Sequence, residues 1–113
     1  MERLISIMEE IGLPFAYHHF AEGESPNLPF ICFLKSGSDN FAADGRVYYK
    51  IDEIHIELYT DRKDPELENR VETVLDGHGI FYQKTEAWIE SERLYEVLYQ
   101  FEQEGMSNAE EKE

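Results

Sequence analysis

Histidine is the residue type in this chain best suited to bind a transition metal, and there are four: His18, His19, His55 and His78. His18 and His19 lie in an aromatic segment, residues 15–20, that reads as a strand. Neighbouring strand residues point to opposite faces, so the two rings are expected not to hold one ion. No HExxH motif or paired-cysteine spacing is present. The sequence therefore predicts ordinary strand and loop histidines and no metal site.

A polar segment, residues 37–46, has some features of a calcium-binding loop. Aligning Gly45 with the invariant glycine of such loops places Ala42 where an oxygen ligand is needed. It also places Ile51 where the bidentate glutamate belongs. The calcium interpretation fails, and the segment is interpreted as a loop between strands, with Asp44-Gly45 as its turn signal.

This loop is long for a strand connection and carries one aromatic residue, Phe41, among polar ones. Long connections in compact domains are often functional, and an exposed aromatic side chain suits a contact with a partner. Folding of Phe41 back onto the core is the alternative, and both stay open. The candidate partner or oligomer contacts are Asp39, Asn40, Phe41, Asp44 and Arg46.

Residues 47–60 are predicted to form a long strand, and polar and apolar residues alternate over 53–59, which is the pattern of a strand with one buried and one wet face. The wet, acidic face would carry Glu53, His55 and Glu57. Two carboxylates flanking a histidine are a weak candidate for acid–base catalysis, and a solvated face explains them better. Cys32 lies in the most apolar run, where a buried thiol is a poor nucleophile. We expect no catalytic residue, no cofactor and no enzymatic activity.

Composition excludes several further classes of protein. The 113 residues include 25 acidic and 10 basic ones, for a formal net charge of −15. Such a chain lacks the cations that neutralise phosphates, so neither specific nucleic-acid binding nor docking on anionic membranes is expected. No apolar run approaches the roughly 18 residues of a membrane-spanning helix. The charged first residues do not resemble a secretory signal, and the single cysteine fits a reducing compartment.

Two helices are predicted to position these residues. Leu4, Met8 and Ile11 share one helical face in residues 2–12, and Gly12 ends that helix. Asp64-Pro65 begins the second helix, as N-cap and first helical residue. Apolar residues then recur at helical spacing until the glycines at positions 77 and 79.

The predicted strands cover residues 15–20, 28–34, 47–60, 80–83 and 94–102, and residues 85–90 extend or follow the fourth. Residues 94–102 fit a helix or a strand, and their Tyr, Val and Phe content favours the strand.

The fold class predicted from this order, α-β-β-β-α-β-β, is α+β. We expect a mostly antiparallel sheet of four to six strands with two helices packed on one face. Residues 1–102 would form a single domain, and residues 103–113 an acidic, disordered tail.

Five segments of the chain stand out together: LPFAYHHF at 13–20, PFI at 29–31, GSDNFAADG at 37–45, IELYTDRKDP at 56–65 and IESERLY at 89–95. They resemble a family of small proteins encoded among the head–tail joining and tail genes of tailed phages and prophages of Gram-positive bacteria. The resemblance covers about residues 1–102. The order of elements is similar to that of tail-completion (tail-terminator) proteins of long-tailed phages.

The resemblance implies a non-enzymatic structural subunit that forms a homo-oligomeric ring, often a hexamer, at the head-proximal end of the tail tube. Its partners would be other copies of itself, the tail-tube protein and the head connector. It would reside in the virion at the head–tail junction, and in the host cytoplasm during assembly. No catalytic residues come with this family. A head-completion protein or a tail-assembly factor, which have neighbouring roles, would look much the same in sequence.

An acidic strand face has a use in such a ring. If Glu53, His55 and Glu57 line the channel, their charge would repel DNA and keep it from binding during passage. The alternative function from another class is an acidic binding module, monomeric or dimeric, such as a phage-encoded inhibitor that imitates DNA. The dispersal of the acids along the chain, with no single stripe, argues against it.

Overall fold

The computed structural model describes residues 2–43 and 46–104, and the side chains of residues 2–37 and 51–103. Two helices and a five-stranded mixed sheet give the predicted α+β order. The elements are α1 (Glu2–Ile11), β1 (Phe15–Tyr17), β2 (Phe30–Ala43), β3 (Arg46–Thr60), α2 (Pro65–Gly77), β4 (Gln83–Ile89) and β5 (Leu94–Glu104). None of the helices in these ranges is long and apolar enough to cross a membrane.

The strands lie in the order β1-β2-β3-β5-β4. β1 pairs with β2 in parallel, with Ala16 opposite Cys32, and all the other pairs are antiparallel. The strand that comes last in the described chain, β5, therefore lies between β3 and β4. A short edge strand, β1 or β4, borders each side of the sheet.

Both helices cover the same face of the sheet. Their apolar stripes meet alternate residues of β2, β3 and β5 in one core, and burying these side chains is the main source of stability. The core contains Leu4, Ile7, Met8, Ile11, Ile31, Phe33, Ile54, Ile56, Leu58, Val71, Leu75, Val97, Tyr99 and Phe101.

The helix signals in the sequence are confirmed. The Asp64 carboxylate accepts a hydrogen bond from the Leu67 backbone N–H (3.1 Å), and Pro65 is the first residue of α2. After α1, Gly12 takes a φ of +80° and its N–H donates to the Met8 carbonyl (3.1 Å). Glycine adopts this left-handed conformation without steric cost, so the chain can leave the helix there.

The prediction of a loop over residues 37–46 is wrong at residues 37–43 and 46, which belong to strands, and the turn predicted at Asp44-Gly45 lies outside the described residues. Strand β2 continues to Ala43 and pairs with β3, with Asp39 opposite Ile51 and Ala43 opposite Arg46. The polar composition that indicated a loop is tolerated because backbone pairing with β3 holds the segment, and no helix has to cover it. The two strands together form a long antiparallel ribbon.

The sequence predicts the last strand, β5, correctly but places the start of β4 too early. Residues 94–102 form a strand, as their composition favours, and β5 continues to Glu104. Residues 80–83 are not a strand except at Gln83, since β4 runs over Gln83–Ile89. Ile80 and Tyr82 pack on the core as a connection, which explains their apolar character. The tail predicted for residues 103–113 lies beyond the described residues after position 104.

Candidate functional site: the open face and the hairpin arm

The sheet face opposite the helices, here called the open face, carries Glu53, His55 and Glu57. Alternation along β3 places these three side chains on it while Ile54, Ile56 and Leu58 are fully buried beneath the helices. The three side chains therefore share one face, as predicted. All three are half-buried, so this face is less exposed to solvent than expected. β5 places four neighbours on the same face: Glu96, Leu98, Gln100 and Glu102.

Glu53 and His55 belong to one hydrogen-bonded cluster on the open face. The Nε2 atom of His55 lies 3.3 Å from Glu53 Oε1 and 3.1 Å from Ser36 Oγ. The Gln100 amide also donates to Glu53 Oε1. An irregularity in β2 between Lys35 and Gly37 accompanies this contact of Ser36 with β3. These bonds fix the orientation of Glu53 and His55.

Glu57 forms a second cluster with Tyr59 and Glu96. The Tyr59 hydroxyl donates to Glu57 Oε1 (3.2 Å). Burial raises the pKa of Glu57, and the nearby charge of Glu96 raises it further. Burial and the charge of Glu57 likewise raise the pKa of Tyr59. This part of the face therefore brings like charges together.

Cys32 lies opposite Glu57 in the sheet register and is only 5% exposed. Burial raises the pKa of its thiol to about 11, and the charge of Glu57 adds to the effect. At neutral pH the thiolate is almost absent, so Cys32 is a poor nucleophile, as its apolar sequence context indicates.

The register gives the open face a single sign of charge. Its described positions on β3 and β5 hold Glu53, Glu57, Glu96 and Glu102, and none holds Lys or Arg. Lys63 and Lys84 instead bind carboxylates of α2 and β4. A surface of this kind repels polyanions and attracts cationic groups.

His18 and His19 differ from the sequence prediction. β1 ends at Tyr17, and His18 takes a left-handed φ of +68°, so the two rings do not point to opposite faces. Their Nδ1 atoms lie 2.7 Å apart. Within residues 2–37 and 51–103, no three His, Cys, Asp or Glu side chains gather so that they could hold a metal ion.

The predicted contact residues lie on the hairpin arm, which we define as residues 38–50 of the β2–β3 ribbon. Asp39, Asn40 and Phe41 are in β2, and Arg46 is the first residue of β3. Asp44 lies outside the described residues. The structure thus places four of the five candidates on paired strands and not in a loop.

The hairpin arm extends past the rest of the sheet. The last pair between β3 and β5 is Ile51 with Glu104, so residues 46–50 of β3 have no described neighbour except β2. At about 3.3 Å per residue, the ribbon extends roughly 15–20 Å beyond that pair.

An open cleft of about 610 Å³ lies at the base of the hairpin arm, and sequence reasoning did not find it. Phe81 is 91% exposed at this cleft. Three consecutive apolar residues, Ile80-Phe81-Tyr82, were the sequence signal for an exposed aromatic ring. Successive side chains of an extended segment point to opposite sides, so the three cannot all face one core. The lining residues are Gly37, Ile51, Glu53, Phe81, Gln83, Gln100, Phe101 and Glu102.

A scan against protein-family models finds no match to the chain, and the curated proteins include none that matches it.

Proposed function

We propose that the protein is a non-enzymatic assembly subunit of a phage head–tail junction, a tail-completion subunit that forms a ring capping the tail tube. The proposal starts from the resemblance of five segments to head–tail joining proteins. The single structural observation that supports it is the hairpin arm, a feature suited to contact with neighbouring molecules.

A two-stranded ribbon is marginally stable by itself in water, because few of its side chains are removed from solvent. An arm that continues past the described part of the sheet by four residue pairs therefore gains most if another molecule packs against it. Contacts between different surfaces of identical subunits close into rings when the rotation permits. The edge strands β1 and β4 offer two further surfaces for such contacts.

The open face is compatible with a position beside DNA. Glu57 and Glu96 lie outside the cleft and would repel phosphates, so a ring that turned this part of the face inward would let DNA pass without holding it. In this function the partners are other copies of the chain, the tail-tube protein and the head connector. The protein would act in the host cytoplasm during assembly and remain in the virion.

Deletion of the gene, followed by electron microscopy of the lysate, tests this function. We expect overlong tails or unjoined heads and tails, and normal virions when the intact gene is supplied in trans. Normal virions from the deletion strain would contradict the proposal. Unjoined heads with tails of normal length would assign the protein to head completion instead.

The acidic open face also favours a second candidate, an inhibitor that imitates DNA. Such a protein would bind a basic DNA-binding protein with an affinity that falls steeply as salt is added. Sedimentation with tail tubes and with DNA-binding proteins separates the two functions, because only the assembly subunit should co-sediment with tubes.

A further inference from the structure

We propose that the hairpin arm of one copy of the protein binds in the Phe81 cleft of a second copy. The inference deepens the proposed function, because it names the contact between ring subunits and rests on that function for the ring itself. Three observations carry it: the stepped shape of the cleft, the exposure of Phe81 and the distribution of charge.

The cleft lies where β4 begins later than its neighbours. β3 continues past Ile51, β5 is described as far as Glu104, and β4 begins only at Gln83, opposite Gln100. This stepped edge leaves room beside the arm base, with Gly37 and Ile51 on one side and Phe81 on the other. Where one strand ends before its neighbour, the outer edge of the neighbour keeps backbone hydrogen-bonding groups. Another extended chain can pair with these groups.

Phe81 is the most exposed large apolar residue of the described chain, at 91%, compared with 47% for Trp88 and 38% for Ile5. Leaving such a ring in water forgoes the favourable free energy that its burial would provide. An aromatic ring beside a cleft is typical of the central contacts of protein interfaces.

Charge distribution selects a second copy as the occupant. Two chains of net charge −15 repel each other, so their contact is most favourable where local charge is balanced. The arm holds Asp39 and Asp44 against Arg46 and Lys50, so its formal charge is zero. The described lining of the cleft holds two carboxylates, Glu53 and Glu102, and no Lys or Arg, so the cations that the arm carries have opposite charges to pair with there.

The composition of the arm fits this occupant as well. Apart from the charged residues, residues 38–50 include one phenylalanine, two tyrosines and a valine. The arm of the same copy cannot fill the cleft. It leaves the cleft at Gly37 and Ile51 and stays paired to the Ala43–Arg46 pair, which carries its far end away.

A photo-crosslinking experiment on the full chain tests the contact. Phe81 is replaced by p-benzoylphenylalanine, and the variant is mixed with ¹⁵N-labelled protein at high concentration and irradiated. We expect crosslinks to labelled peptides of the arm, which trypsin releases as residues 36–46 and 47–50. The matched control carries the photoreactive residue in place of Ile5 on α1, and we expect no arm crosslinks from it.

A second measurement uses Phe81→Ser and the control Ile5→Ser in sedimentation over a range of concentrations. Only Phe81→Ser should lose self-association, while both variants keep the circular dichroism of the native chain. Crosslinks from position 81 to segments outside the arm, or none between copies at the highest concentration, would overturn the inference.

The two proposals fail separately. If the deletion strain forms overlong tails but position 81 never crosslinks to the arm, the function holds and this contact is wrong. If the crosslinks form but virions are normal without the gene, the contact holds and the function is wrong.

Discussion

Glu57 is half-buried on the open face, and only one neutral hydroxyl, that of Tyr59, is seen to donate to it within the described part of the chain. Burial and the charge of Glu96 raise its pKa, so the folded protein holds a proton at this site more tightly than the unfolded chain does. The ionised form therefore destabilises the fold. The cost is absent below the unfolded pKa and develops as the pH rises through the folded pKa.

We predict that Glu57→Gln stabilises the protein at pH 7 and leaves its stability unchanged at pH 4, below the unfolded value of 4.5. The amide oxygen can still accept the Tyr59 hydrogen bond. The gain should stay below about 1 kcal/mol, because solvent screens a half-exposed carboxylate. Urea unfolding at both pH values measures it, with the exposed Glu9→Gln as control. An equal effect at both pH values would contradict the prediction.

At the residue scale, the alternation of residues 53–58 was enough to predict which side chains share a face. The degree of burial was not predictable, because it depends on neighbours distant in sequence, such as Gln100 and Glu96. The orientation of His18 was also missed. It follows from a single left-handed residue at the end of a three-residue strand, which composition does not signal.

Among the elements, α2 is tied to the sheet by an ion-pair cluster around Glu68. The Glu68 Oε1 atom accepts from Lys63 Nζ (2.8 Å) and Lys84 Nζ (2.7 Å), and only 4% of its side chain is exposed. Lys84 also contacts Glu72 (2.8 Å), and the Tyr99 hydroxyl donates to Glu72 as well (2.7 Å). The cluster connects the helix to strands β4 and β5.

We predict that Glu68→Gln lowers the free energy of unfolding by about 1–3 kcal/mol. Two hydrogen-bonded ion pairs at a buried carboxylate are lost, although both lysines keep another partner. Denaturant unfolding measures the change. Glu66→Gln, at an exposed position in the same turn of α2, should change the free energy by less than about 0.5 kcal/mol. Equal effects of the two variants would refute the role of the cluster.

A second prediction at this scale concerns the end of α1. Gly12→Ala should destabilise the protein by about 1–2 kcal/mol, because alanine is strained at a φ of +80°. The new Cβ would also lie 2.6 Å from Arg70 Nη2, a flexible side-chain end that has to move. Thermal unfolding measures the loss. Gly77→Ala in α2, with nothing within 4 Å of the added Cβ, should be neutral or stabilising.

Element prediction succeeded where local chemistry decides the structure. Asp64-Pro65 marks a helix start through its own hydrogen bonding and backbone restriction. Residues 37–43 are strand only because β3 lies beside them, so their polar residues predicted a loop. The Phe81 cleft was equally hidden, since it depends on where β4 begins relative to β3 and β5.

For the whole molecule, net charge should control association. We predict that self-association strengthens several-fold between 0.05 M and 0.5 M NaCl, because salt screens the repulsion between copies of charge −15. Sedimentation equilibrium measures the constants, and Phe81→Ser should show no association at either concentration. Association that weakens with salt would show that attraction between charged groups outweighs the repulsion between copies, and would contradict the prediction.

The position of β5 has a consequence for how the protein acquires its fold during synthesis. This strand supplies Val97, Tyr99 and Phe101 to the core and bridges β3 to β4, yet it follows every other described element along the chain. When only the residues up to 93 have emerged from the ribosome, the sheet still has a gap between β3 and β4 and the core is uncovered. Folding must then wait until β5 has emerged from the ribosome, and until that moment the unpaired edges of β3 and β4 are open to aggregation or to chaperones.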